Sequence, residues 1–234
     1  MNKLRENVRQ TTKGTTMKKV TIDMVSDIVC PWCIVGYKRL QQAAALLDDI
    51  DITINFHPFE LNPSMPEKGQ NLREHLMEKY GISEAQSKQA RAQLIQVGEE
   101  VGFEFNYSDD TRMVNTFKAH QLLHYARIEG KEEQLKLRLF SAFFSEGKNI
   151  NDIDVLIEEA NVVGLDIEKA KNVLASGQYA DVVRAEENRW MQMGIQSVPT
   201  FVIADQGIAG AQPPETLANF IRESVESLNT AAEN

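Results

Sequence analysis

The pair formed by Cys30 and Cys33, which encloses Pro31 and Trp32, constrains this chain more than any other feature of its sequence. These are the only two cysteines in 234 residues, and they lie between a predicted strand and a predicted helix. Thiols at this spacing can close into a disulfide, and the unpaired N–H groups at a helix N-terminus stabilise a thiolate. We therefore predict a redox-active dithiol. Cys30 is the expected nucleophile and Cys33 the resolving thiol, because the second cysteine of a helical turn points back into the helix.

A zinc site and a pair of inert buried thiols are the other interpretations of the two cysteines. Zinc takes about four ligands, and the chain has neither a second Cys-x-x-Cys pair nor histidines at finger-like spacing after Cys33. His120 and His124 lie four residues apart in a predicted helix, but no glutamate lies between them as in a HExxH motif. We expect no metal site. For the two histidines, lining a substrate groove stays an alternative to ordinary packing.

The pattern of apolar residues predicts two α/β segments separated by helices. Residues 20–58 read β-α-β, and residues 198–228 read β-β-α, because alternating runs flank helical periodicity in both segments. Between them the sequence is mostly helical, with a capping box that begins at Ser83 and an apolar face behind it at Ala90, Leu94, Val97 and Val101. We predict an α/β fold with one mixed sheet, built from residues 17–62 and 194–234. An all-helical domain, residues 63–193, is inserted, and residues 1–16 form a flexible tail.

Composition excludes several classes of function. The net charge of −9 argues against a nucleic-acid partner, and no apolar run approaches the roughly 18–20 residues that a membrane helix needs. The basic N-terminus has no apolar core of the kind found in secretory signals. We therefore expect a cytoplasmic protein without a membrane partner. In that reducing compartment a disulfide is expected to be transient and catalytic.

Two separated motifs give the chain a resemblance to the thioredoxin superfamily, and within it to DsbA-like proteins. One is Cys30-Pro31-Trp32-Cys33 after a strand, and the other is Ser197-Val198-Pro199-Thr200-Phe201 at the start of a strand in the second half. The resemblance implies a thioredoxin-like fold in which Pro199 is cis and its loop faces the cysteines. In that arrangement the backbone of Val198 lies beside Cys30, where an extended substrate can pair with it. We expect substrate to contact Pro31, Trp32, Val198 and Pro199; the alternative for Trp32 is packing against the inserted helices.

A closer resemblance is to FrnE-like oxidoreductases of the DsbA family, which are related to 2-hydroxychromene-2-carboxylate isomerases and kappa-class glutathione transferases. It rests on further residues: Asp27, Gly36, Phe59-Glu60-Leu61-Asn62-Pro63, Asn115-Thr116, Ala119-His120 and Gly210-Ala211-Gln212-Pro213. Asp27 is either a base near Cys33 or a loop cap. The isomerase and transferase relatives have a serine where Cys30 stands and bind glutathione.

Because the chain has both cysteines, we expect thiol–disulfide oxidoreductase activity on protein or small-molecule disulfides and thiols. No metal or organic cofactor is expected, although glutathione is a candidate substrate or reductant. One alternative is a glutathione-dependent isomerase or transferase in which Cys30 stabilises a bound thiolate. Another is a non-catalytic binding module. The resemblance leaves the direction of catalysis open, because Pro31 and Trp32 replace the Pro-His pair of periplasmic DsbA.

Overall fold

The chain forms one mixed sheet with helices around it, in a computed structural model that describes residues 17–232. The predicted tail, residues 1–16, lies outside the described residues. The elements of the described part are β1 (Lys18–Ser26), α1 (Pro31–Ala44), β2 (Ile50–Pro58), β3 (Gln70–Asn71), α2 (Leu72–Tyr80), α3 (Glu84–Val101), β4 (Arg112–Met113), α4 (Phe117–Ile128), α5 (Glu132–Phe144), α6 (Ile153–Val162), α7 (Ile167–Ser176), α8 (Ala180–Gln192), β5 (Thr200–Ile203), β6 (Gln206–Ala209) and α9 (Pro214–Ala232).

The main sheet has the strand order β2-β1-β5-β6, which confirms the prediction of one mixed sheet. Strand β1 pairs in parallel with β2 and antiparallel with β5, and β5 pairs antiparallel with β6. The register sets Val25 opposite Thr200. Because β1 ends at Ser26 and β5 begins at Thr200, the loop before Cys30 and the loop before β5 meet at the same edge of the sheet.

Helix α1 begins where the sequence predicts it. Pro31 occupies the first turn, where its missing N–H has no helical partner. The inward face of α1 is apolar and contains Cys33, Ile34 and Leu40, each at most 1 % exposed. The long helix α9 packs along α1 and buries a stripe that includes Ile221. Helix α1 is therefore fixed by its buried inward face and by its contact with α9, and these contacts set the position of its first turn.

The segment between β2 and β5 is helical apart from one small sheet. The capping box predicted at Ser83 is present, and α5 buries a stripe of leucines and phenylalanines. The prediction of an all-helical segment was wrong in one respect, because β3 and β4 form an antiparallel pair. Strands of two residues are too short to give an alternating pattern. The domain limits at residues 63 and 193 stay a prediction.

Helix α3 is less buried than its sequence pattern predicts. Ala90 is exposed, and Leu94, Val97 and Val101 are only half-buried. The reason is that part of this face borders a cavity instead of the core.

No helix within residues 17–232 combines the length and the apolar character that crossing a membrane requires.

Candidate active site

Cys30 lies where the loop after β1 meets the loop before β5. It is the N-cap residue of α1, in an extended conformation. Its thiol donates a hydrogen bond to the backbone carbonyl of Val198 over 3.6 Å, across 168 positions of sequence. The Val198–Pro199 peptide bond is cis. The structure therefore brings together Cys30, Val198 and Pro199, which the sequence singles out in two distant motifs.

Cys33 lies one helical turn further along and behind Cys30. Its side chain is fully buried, whereas 4 % of Cys30 is exposed. Burial raises the pKa of the Cys33 thiol well above its usual value, and the neighbouring Cys30 raises it further through a hydrogen bond and charge repulsion. At neutral pH Cys33 is therefore protonated, which suits a thiol that reacts second.

Pro31 and Trp32 lie at the solvent side of the dithiol. Pro31 is half-buried, and Trp32 is 39 % exposed. Both border a cavity that also reaches Cys30 and Val198. Of the four residues predicted to contact substrate, Pro31, Trp32 and Val198 border this cavity and Pro199 does not; the role of all four in binding stays a prediction.

Gly36 sits where α1 passes closest to the Pro199 loop. A Cβ atom at this position would lie 2.9 Å from Pro199 Cγ and 3.2 Å from Phe201 Cζ. Such distances require a neighbour to move, and both neighbours are parts of rings packed against α1. The absence of a side chain at Gly36 therefore keeps the Pro199 loop against the first two turns of α1.

We expect Gly36→Ala to destabilise the protein by about 1–3 kcal/mol, because overpacking at this contact forces α1 and the Pro199 loop apart. The free energy of unfolding from urea titration measures this. Gln42→Ala is the matched control, since Gln42 is exposed on the same helix. Equal stability of Gly36→Ala and the parent protein would contradict a tight contact here.

Asp27 is fully buried and ties together the loops that precede the site. Its Oδ2 accepts a hydrogen bond from the Leu61 backbone N–H at 2.7 Å, and its Oδ1 lies 3.3 Å from His120 Nε2. His120 Nε2 also lies 3.1 Å from the carbonyl of Phe59. The backbone carbonyl of Asp27 accepts a hydrogen bond from the Cys30 N–H at 3.2 Å. Asp27 thus caps the loop at residues 59–61, and its role as a base stays a prediction.

The two histidines singled out by their spacing contact different residues. His120 is buried against Asp27, whereas His124 packs against the ring of Tyr179 at 4.7 Å. Neither borders the cavity at Cys30, and the alternative that they line a substrate groove stays a prediction. In the described part of the chain, His, Cys, Asp and Glu residues form no group of three or more suited to a metal ion.

Lys136 is a charged residue of the site that sequence reasoning missed. It is 1 % exposed, and its Nζ lies 3.4 Å from the Ser26 carbonyl, between the rings of Phe56 and Phe140. Burial lowers the pKa of Lys136, while attraction to Cys33 and Asp27 opposes this shift. Its position four residues before Phe140, within the buried stripe of α5, is a signal that could have identified it.

The cavity beside Cys30 has a volume of about 670 Å³. Its walls come from the start of α1, the loop at residues 59–62, helices α2 and α3, the end of α5 and the Pro199 loop. Apolar side chains predominate among them, and Leu76, Leu94 and Phe144 are examples. This size lies within the range of small-molecule sites. Sequence reasoning did not find this cavity, because its walls come from parts of the chain that are distant from one another in sequence.

Comparison with known proteins gives consistent relatives over nearly the whole chain. The model of the DSBA-like thioredoxin domain matches residues 21–222. The uncharacterized protein YwbO of Bacillus subtilis is 33% identical over 207 residues, which cover 87% of this chain and 96% of YwbO. The crystal structure of the probable DsbA oxidoreductase SCO1869 from Streptomyces coelicolor superposes with a TM-score of 0.84 at 33% identity, covering 88% of this chain and 89% of SCO1869.

A 2-hydroxychromene-2-carboxylate isomerase shares the fold at lower identity. Its structure superposes with a TM-score of 0.64 at 14% identity, covering 91% of this chain and 98% of the isomerase. At this identity the likeness concerns the fold alone.

Proposed function

Because the chain belongs to the DSBA-like thioredoxin domain family, we propose that it is a thiol–disulfide oxidoreductase with Cys30 as nucleophile and Cys33 as resolving thiol. The observation that carries this proposal is the position of Cys30. Its thiol lies at the start of α1, 3.6 Å from the Val198 carbonyl, with the Cys33 thiol buried directly behind it.

The first step of the proposed reaction is the attack of the Cys30 thiolate on a substrate disulfide. A bond forms between Cys30 Sγ and one substrate sulfur, the substrate S–S bond breaks, and the second substrate sulfur leaves as a thiolate. Cys30 is the N-cap residue of α1 and therefore lies at the positive end of the helix dipole. The product is a mixed disulfide at the border of the cavity.

The second step releases the substrate. Cys33 loses its proton and attacks Cys30 Sγ, so the mixed disulfide breaks and the remaining substrate sulfur leaves as a thiol. Two electrons pass from the dithiol to the substrate, and the protein is left with a Cys30–Cys33 disulfide. An external thiol returns it to the dithiol by the reverse exchange, and with an oxidised protein the same steps oxidise a substrate dithiol.

Positioning of the substrate is proposed to come from the Pro199 loop and from Pro31 and Trp32. The backbone of Val198 lies beside Cys30 and can pair with an extended substrate, as strands do at a sheet edge. Trp32 offers an exposed aromatic surface on the other side of the thiol. The FrnE-like branch, the cytoplasmic location and glutathione as a co-substrate stay predictions.

Cys33→Ser separates this proposal from a glutathione-dependent isomerase or transferase. We expect the variant to form a mixed disulfide with substrate but to lose multiple turnover in insulin reduction by dithiothreitol, because the resolving thiol is absent. Its fold, checked by circular dichroism, serves as the control. Full turnover in Cys33→Ser would instead favour a mechanism that needs only Cys30.

A further inference from the structure

Two cations in the wall of the cavity have no carboxylate partner. Among the described residues, neither Lys79 of α2 nor Arg91 of α3 forms an ion pair. The carboxylate of Glu60, which also lies in the wall, is paired with Arg184. The charge that faces the cavity is therefore positive.

Arg91 is held in place with unused hydrogen-bonding capacity. Its Nη1 donates to the Ser108 carbonyl over 3.5 Å, at the limit of a hydrogen bond. Its Nε is buried and has no hydrogen-bond partner among the described residues. An anionic ligand in the cavity can instead accept from Arg91 Nη2, which forms no hydrogen bond among the described residues.

Lys79 is held at another point of the same wall. Its ammonium donates to the Leu61 carbonyl at 2.9 Å and to Asn62 Oδ1 at 2.6 Å. Both acceptors are neutral, so the positive charge of Lys79 is not compensated by a direct ion pair. Burial lowers the pKa of Lys79, and attraction to the more distant Asp27 carboxylate opposes this shift.

The remaining wall favours a compact apolar ligand. Side chains such as Leu76, Leu94, Tyr107 and Phe144 surround the space between Cys30 and the two cations. An extended polypeptide placed there would set its backbone N–H and C=O groups against apolar walls, at a cost for each unpaired group. An aromatic or aliphatic group gains from the same walls, because its apolar surface leaves water.

We propose that this cavity binds a small disulfide with an apolar, preferably aromatic, body and a carboxylate, which Arg91 and Lys79 recognise. This inference rests on the proposed function, since the reacting sulfur must lie at Cys30. In the exchange, the Cys30 thiolate bonds to one sulfur of the ligand, the ligand S–S bond breaks, and the other half leaves as an aromatic thiolate. No further oxidant or reductant takes part in this single step.

The test compares two aromatic disulfides in single-turnover reactions with Cys33→Ser. Dithiobis-nitrobenzoate carries one carboxylate on each ring, whereas dithiodipyridine is uncharged at neutral pH. We expect Arg91→Met, made in the Cys33→Ser protein, to slow the reaction with dithiobis-nitrobenzoate by about tenfold, as loss of a charge-assisted hydrogen bond predicts. The rate with dithiodipyridine should change by less than about twofold.

Lys88→Met is the matched control, because Lys88 is exposed on the same helix as Arg91 and does not border the cavity. Lys88→Met also removes one positive charge, and it should leave unchanged the ratio of the rate with dithiobis-nitrobenzoate to the rate with dithiodipyridine. Lys79→Met is the second test variant, used if Arg91→Met fails to fold, and it should lower the same ratio.

Two results would overturn recognition of the carboxylate in this cavity. One is that Arg91→Met and Lys79→Met leave the ratio of the dithiobis-nitrobenzoate rate to the dithiodipyridine rate unchanged. The other is that Lys88→Met lowers this ratio as much as they do. Failure of both disulfides to modify Cys33→Ser at all would instead overturn the proposed function. The two failures are therefore distinguishable.

Discussion

Cys30→Ser is expected to lower the rate of insulin reduction by about 10³-fold or more, as loss of a covalent nucleophile does in other enzymes. A serine hydroxyl stays protonated at neutral pH and cannot form a disulfide. Cys33 cannot replace Cys30, because it is fully buried and its pKa is raised well above the usual value. The readout is turnover of insulin by dithiothreitol.

The control for Cys30→Ser is its thermal unfolding temperature. The substitution exchanges atoms of similar size at a position that is 4 % exposed, so the temperature should change little. A variant that folds normally and keeps disulfide exchange would contradict the assignment of Cys30 as the nucleophile. Such a result would leave the non-catalytic and thiolate-stabilising alternatives in place.

Lys136→Met is expected to slow the resolving step by up to about tenfold at neutral pH, because loss of the positive charge raises the pKa of Cys33 further. The charge of Lys136 is among the influences that lower the pKa of the Cys33 thiol against the larger effect of burial. Only the thiolate of Cys33 attacks. Removing the charge therefore reduces the reactive fraction at any pH below that pKa.

The pH dependence gives the sign of this effect. Because the pKa of Cys33 is raised, the resolving rate should increase as pH rises from neutrality, and the whole profile should move to higher pH in Lys136→Met. Stopped-flow decay of the mixed disulfide measures the rate. Lys88→Met should leave the profile in place, since Lys88 is exposed on α3.

Unchanged decay kinetics in Lys136→Met would contradict a role for this lysine. Lys136 forms no direct ion pair among the described residues, and its hydrogen bond to the Ser26 carbonyl is long, at 3.4 Å, so its removal leaves no buried carboxylate without its ion-pair partner. The variant should therefore fold, and the kinetic comparison can be made.

Local signals in the sequence predicted most of the sheet and the start of α1. Alternating residues mark β1 and β2, Pro31 marks the first turn of α1, and the capping box at Ser83 marks α3. The approach of Val198 to Cys30 follows from the resemblance to thioredoxin-like proteins, since no local rule brings together residues 168 positions apart.

The parts that escaped prediction depend on contacts distant in sequence. The position of Lys136 in the apolar stripe of α5 predicts that it is buried, but its contacts with Ser26 and Phe56 depend on how α5 packs against the sheet. Arg91 and Lys79 gain significance only when α2 and α3 enclose a cavity with Cys30. Periodicity reports which face of a helix is apolar, but it does not distinguish a face that meets the core from one that borders a cavity.

The most direct test of the central claim is the location of the mixed disulfide. Cys33→Ser is incubated with dithiodipyridine, digested without reductant and mapped by mass spectrometry, with Cys30→Ser treated in parallel. We predict one thiopyridyl adduct on Cys30 and, under the same conditions, little modification of Cys33 in Cys30→Ser. Rapid modification of Cys33 together with an unreactive Cys30 would contradict the account.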